Sequence, residues 1–245
     1  YLKPDFSKIK KFLTVGLPAS FGRMGSAFGF ILLWAIIYRL PNPEIIGAAY
    51  GVGNRILNIT FLVMGGLAMA MSTMVGQSLG SDDIDRAEEV TKKGIFAMII
   101  LMTIFAIFIF LIRNLVIGAF ITNPEVVLEG ADFLMIFALA MPFFGIFRGI
   151  TSILGGAGHT TQQMGLSLSR ILLMRIPLVF VFAVILTMNA TGVWLGMALS
   201  NVIAAGLALV VYSLGWWKEK IIEEGPTPSG PAIQVDDPKE EDEEE

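Results

Sequence analysis

Five arginines stand inside long apolar stretches of this chain, at positions 23, 55, 148, 170 and 175, and no acidic residue shares those stretches. A guanidinium keeps its charge and carries five N–H donors. Arg23 and Arg55, with no carboxylate of this chain at similar depth, must therefore face carbonyls, a watery cavity, an anionic ligand or an acid supplied from another lobe or subunit. Arg23 lies roughly 16 Å into the first stretch at 1.5 Å per residue, near the bilayer midplane, and Arg55 lies between the outer interface and the midplane. Arg148 and Arg170 fall within about two turns of the inner ends of their stretches, where a long stem reaches the headgroups; both are expected to be structural anchors. Arg175 precedes Pro177 by two residues, and that proline frees the carbonyl of Leu173 as an acceptor. Helical spacing puts Arg23, Ser26, Phe30 and Trp34 on one stripe, pairs Asn54 with Asn58, and aligns Phe137, Met141, Phe144 and Arg148. Arg23, Ser26, Phe30, Asn54, Asn58 and Met141 are the expected lining of a substrate cavity, where thioether and aromatic groups accept varied amphipathic compounds. Pro18, Arg55, Gln77, Arg148 and Pro177 are read as structural or motif positions.

Other chemistries are poorly supplied. The chain has no cysteine and one histidine, His159, so thiolate chemistry and a histidine-built metal site are both excluded. No Ser–His pair or aspartate dyad lies within the apolar stretches. Gly155-Gly156-Ala157-Gly158 lacks the Lys-Ser/Thr that completes a phosphate-binding loop. The chain is therefore expected not to be an enzyme, to carry no metal or cofactor, and to bind no nucleic acid.

The elements that must position these groups are membrane helices. Of the 245 residues 55% are hydrophobic and 16% charged, well below the roughly 25% charged of a soluble domain. Crossing a bilayer takes about 20 mostly apolar residues, because lipid offers the backbone no partner. Six stretches qualify: Leu13–Tyr38, Ile45–Met74, Gly94–Ile112, Phe133–Leu154, Leu166–Met188 and Val193–Trp217. Apolar on all sides, they lack the stripe of a soluble amphipathic helix. In the first, Gly22, Gly25 and Gly29 form a small-residue stripe suited to close helix contact, and Pro18 predicts a bend.

Residues 1–12 form a basic lead-in that resembles an inter-lobe linker, and with Tyr1 at its head the chain is expected to be part of a longer protein. Nine cations (Lys3, Lys8, Lys10, Lys11, Arg86, Lys92, Lys93, Lys218 and Lys220) fall on one side against Arg39 and Arg113 on the other, which puts both termini in the cytoplasm. Ser81 and the acids that follow predict a short amphipathic helix on the inner surface. Asn42-Pro43-Glu44 and Asn123-Pro124-Glu125 both read as helix caps. Trp216 and Trp217 read as an interfacial anchor. Residues 218–245 form an acidic cytoplasmic tail, broken by Pro and Gly and expected to be disordered.

Several segments, taken in order, resemble a known family. They are Gly16-Leu17-Pro18-Ala19, Ala48–Ile56, Val75-Gly76-Gln77-Ser78-Leu79-Gly80, Asn123-Pro124-Glu125-Val126 and Phe147-Arg148-Gly149 running on to Gly155–Thr160. Over roughly residues 5–217 they resemble the second half of the multidrug and toxic-compound extrusion (MATE) transporters; Gly158-His159-Thr160 departs from the Gly-Asp-Thr common at that place. The resemblance implies an all-α integral membrane protein, one six-helix lobe of a 6+6 antiporter in the cell membrane. Such a protein expels small organic, often cationic compounds against inward sodium ions or protons. It implies an N-terminal six-helix lobe as partner, upstream in the same chain or as a second subunit. Some branches hold coupling carboxylates in the second lobe; this chain has none there, so a Na+ or H+ site is expected in the first lobe. A lipid-linked oligosaccharide flippase of the same superfamily would share the fold and favour a cationic cavity. A homo-oligomeric channel or scaffold is the reading from another class.

Overall fold

A computed structural model describes residues 6–218, with side chains from position 16 onward except at 18, 19 and 23. The extreme lead-in and the acidic tail lie outside the described residues, as do the side chains of Pro18 and Arg23. The chain forms six long helices: α1 (Phe6–Ile37), α2 (Pro43–Gly80), α3 (Ile84–Phe120), α4 (Pro124–Gly156), α5 (Thr160–Ile185) and α6 (Asn189–Ser213), with a final 3-10 turn, Trp216–Lys218. All six are long and apolar enough to cross a membrane. With 38 residues α2 is about 57 Å long, well beyond a hydrocarbon core of roughly 30 Å, so its ends reach past the core.

Those extensions absorb features expected to stand alone. The acidic stretch after Ser81 is the start of α3 itself, where Asp83 caps the helix by accepting from the Arg86 backbone N–H at 2.9 Å. The surface charge there is organised along one helix, with Lys92 on Glu88 at 3.0 Å and Lys93 on Glu89. The two Asn-Pro-Glu turns differ. Asn123 caps α4 by accepting from the backbone of Glu125 (3.0 Å) and Val126 (3.4 Å). Asn42 instead adopts a left-handed conformation, φ 53°, and its side chain makes no cap bond. Asn is among the few residues that enter this region readily. Trp217 lies in the 3-10 turn that follows α6. It is buried and stacks on Tyr212 at 5.5 Å, while Lys218 pairs with Glu88 and ties the end of α6 to the start of α3.

Packing is centred on α4 and α6, the most buried of the helices. Helix α4 lies against α2 and α3 on one side and α6 on the other, α5 lies against α6, and α1 leans chiefly on α5. Glycines set the closest approaches. A Cβ at Gly192 or Gly196 would stand within 2.7 Å of the α5 backbone at residues 182–183 and at Val179, so only glycine permits the α5–α6 distance. The small-residue stripe of α1 does what its spacing predicts: Gly22 meets Met164, Gly25 meets Leu168 and Gly29 meets Ile171, all on α5. At the other pole, Pro41 and Asn42, Glu125 and Glu129, and Met188 and Asn189 line one cleft of about 430 Å³. The three alternate turns thus share a face, as six antiparallel spans require. Outward faces carry lipid-suited side chains such as Leu62, Met69, Leu111 and Leu173.

Candidate functional site

The strongest polar feature at membrane depth lies between α5 and α6. Arg170 and Arg175 are five residues apart, which on an α-helix sets them about 140° from each other. Residues Ser169–Arg175 are instead π-helical. Bonding from i to i+5 winds close to one full turn over five residues, and both guanidiniums reach the same group. Arg170 Nη1 donates to Asn201 Oδ1 at 3.4 Å and Arg175 Nη2 donates to the same oxygen at 3.0 Å. Arg175 Nε donates to Ser200 Oγ at 3.3 Å, and Ser200 passes its own hydrogen to the Met197 carbonyl at 2.6 Å. Asn201 is the central residue of α6, and both it and Ser200 are fully buried.

Aromatic rings enclose the cluster. The Arg170 guanidinium sits over Phe144 (5.2 Å) and Phe147 (5.0 Å) of α4, two cation–π contacts. Tyr50 of α2 lies within electrostatic reach of Arg175, and Arg148 of α4 within reach of Arg170. Around Tyr50 stand Phe30 (5.7 Å), Trp34 (6.0 Å), Phe133 (5.6 Å) and Trp194 (6.2 Å), contributed by α1, α4 and α6. Among the described residues no carboxylate lies within ion-pair distance of Arg170 or Arg175. Two buried donors of the cluster, Arg170 Nε and Asn201 Nδ2, have no partner.

This arrangement corrects two expectations. Arg170 does not snorkel: its head turns inward, because aromatic faces and Asn201 are nearer than the headgroups. Arg175 is held by Ser200 and Asn201, with no use made of the Leu173 carbonyl. The expected cavity residues scatter. Phe30 joins the aromatic group around Tyr50, and Ser26 returns its hydroxyl to the Gly22 carbonyl at 2.9 Å. Asn54 is half-buried, while Arg55 and Asn58 are exposed on the outer face of α2. Met141 is fully buried in the core of the lobe. Arg148 is half-buried, Gln77 is exposed where its carbonyl receives Ser81, and Pro177 is exposed in the short α-helical segment Ile176–Val179 between two π-helical ones. His159 is buried in the turn before α5. Ser200 and Asn201 escaped sequence reasoning, although they form the one adjacent polar pair in the middle of an uncharged run.

Set beside known proteins, residues 18–181 match the family model described as MatE. The chain belongs to the MatE family. Among its relatives are the probable multidrug resistance protein YoeA of Bacillus subtilis, 24% identical over 90% of this chain, and the probable multidrug resistance protein NorM of Thermotoga maritima, 24% identical over 89%. Each match takes up 47% of the relative, so this MatE chain spans about half the length of the relatives it resembles. In three dimensions it superposes on a MOP superfamily transporter from Pyrococcus furiosus with a TM-score of 0.82 and 19% identity, covering 89% of this chain and 49% of that one. The six-helix lobe is therefore the MatE fold.

Proposed function

We propose that this chain is the second lobe of a secondary active transporter that expels small organic compounds from the cell in exchange for an inward cation. The observation that carries the reading is its match, as one six-helix unit, to half of proteins named for multidrug resistance. A six-helix lobe with exposed polar groups on its helix faces gains a cavity when a second lobe closes over it. Arg23, Ser26, Phe30, Asn54 and Asn58 would line that cavity from this side. The first lobe, upstream or in another subunit, would hold the Na+ or H+ site. The protein would lie in the plasma membrane with both termini in the cytoplasm, as the cation bias favours.

The test is dye export by the natural full-length protein in cells stripped of their own exporters. Efflux that stops when both the sodium and the proton gradients are collapsed is the expected result. Flux indifferent to either gradient would replace the antiporter with a channel, and no flux at normal membrane expression would leave a scaffold. Arg23→Ala should slow efflux or change the compounds accepted, while Arg148→Lys, which keeps its charge, should matter much less.

A further inference from the structure

We propose that the cluster of half-buried Arg170 and Arg175 with buried Ser200 and Asn201 binds the anionic group, carboxylate or phosphate, of an amphipathic organic compound. Its apolar part would lie against the rings that flank the cluster, Phe144 and Tyr50 among them. That such a compound is carried across the membrane rests on the transporter reading; the anion is argued from the cluster alone.

Donors and acceptors in the cluster do not balance. Two guanidiniums, ten N–H bonds between them, share one amide oxygen and one hydroxyl. The atoms left without partners, Arg170 Nε and Asn201 Nδ2, are both donors. The orientation of Asn201 is fixed by chemistry, because a flipped amide would point N–H groups at two guanidiniums that can only donate. The absent group must therefore accept hydrogen bonds. Water could serve the orphan donors but would leave two like charges side by side in a site flanked by aromatic rings. An anion with two or more oxygens satisfies the donors and the charge together, in the bidentate manner guanidinium favours. Asn201 is itself fully buried and its free amide hydrogens belong to this same donor set. The π-helical segment is a second, independent sign. It departs from the regular α-helix where doing so brings the two arginines onto one face, and such departures are frequent at functional sites.

Binding is measured on the natural full-length protein in phosphatidylcholine nanodiscs, by titration with 11-(dansylamino)undecanoate and, in parallel, with the cationic probe dansylcadaverine. Saturable fluorescence enhancement with the anion, displaced by decyl phosphate and not by decyltrimethylammonium, is expected. Arg170→Gln and Arg175→Gln should each weaken it tenfold or more, and Arg113→Gln, on α3 away from the cluster, should leave it within twofold. Adding phosphatidylglycerol separates the sources of the anion: competition identifies a lipid headgroup as the occupant, and no competition identifies a free compound. Both keep the site. Should the glutamine variants fail to fold, Asn201→Asp decides. It places a carboxylate between the guanidiniums, so it should raise the melting temperature while abolishing anion binding. A lower melting temperature for Asn201→Asp would mean that an acid elsewhere in the protein already pairs with the arginines, and would overturn the proposal. Equal affinity for both probes, or parental anion affinity in the glutamine variants, would overturn it as well. Anion binding without dye export would retain the site and remove the transporter reading instead.

Discussion

A single side chain separates two turns with the same three letters. The carboxamide oxygen of Asn123 accepts from the first backbone N–H groups of α4, whereas Asn42 uses its tolerance of left-handed backbone and caps nothing with its side chain. Losses of different origin follow. Asn123→Ala should lower stability by about 1 kcal/mol through the lost cap. Asn42→Ala should cost a similar amount, about 1–2 kcal/mol, through strain at positive φ, and Asn42→Gly should cost almost nothing because glycine has no Cβ to clash. Thermal melting of the full-length protein in detergent, run on the three variants together, reads the contrast directly. From sequence the two positions are indistinguishable, since cap residues and left-handed residues are drawn from the same short list. The arginine cluster was hidden for a related reason. Its two halves were each visible as letters, but five is not the spacing of an α-helical face, and Asn201 carries no charge to draw the eye.

Between helices the controlling quantity is how closely backbones approach. Gly196→Ala would drive a Cβ into the backbone of Val179, which has no side-chain end to yield, and should destabilise by about 1–3 kcal/mol. Gly51, on α2, faces open space, so Gly51→Ala should be neutral or stabilising by up to about 1 kcal/mol. Melting temperatures of the pair test whether contact or helix propensity governs. The α1–α5 interface has a sharper test. A Cβ at Gly22 lies 3.6 Å from Met164 Cβ, within the 3.5–4.5 Å that a disulfide spans. The chain has no cysteine of its own, so Gly22→Cys with Met164→Cys should cross-link on mild oxidation while Gly51→Cys with Met164→Cys should not. Failure of the Gly22–Met164 pair to form the bond would show that α1 is misplaced. The six helices and this glycine stripe were legible because each depends on a run or a period within one stretch of chain. That α4 and α6 occupy the centre was not, since all six runs are apolar on every side and none announces its neighbours.

At the scale of the lobe, three alternate turns share one cleft and the ion pairs of α3 and Lys218 gather at the opposite pole. Single cysteines at Asn42, Asn123 and Asn189, all exposed, should react with an impermeant reagent added outside intact cells, and one at Ser81 should not. Labelling of Ser81→Cys alone would invert the molecule. The order of contacts also has a consequence for biosynthesis. Within this lobe α1 leaves the ribosome before the other helices, yet its glycine stripe has no seat until α5 is made, and α2 gives it little to hold. Helices α2, α3 and α4 can associate as soon as they are inserted. The nascent lobe thus carries an early three-helix nucleus and an orphan first helix, which waits in lipid through three further insertions. A chain that ends anywhere before α5 leaves that stripe open to the quality-control machinery, and one that ends after α5 does not, so the penalty of premature termination should ease once Met164, Leu168 and Ile171 have been made.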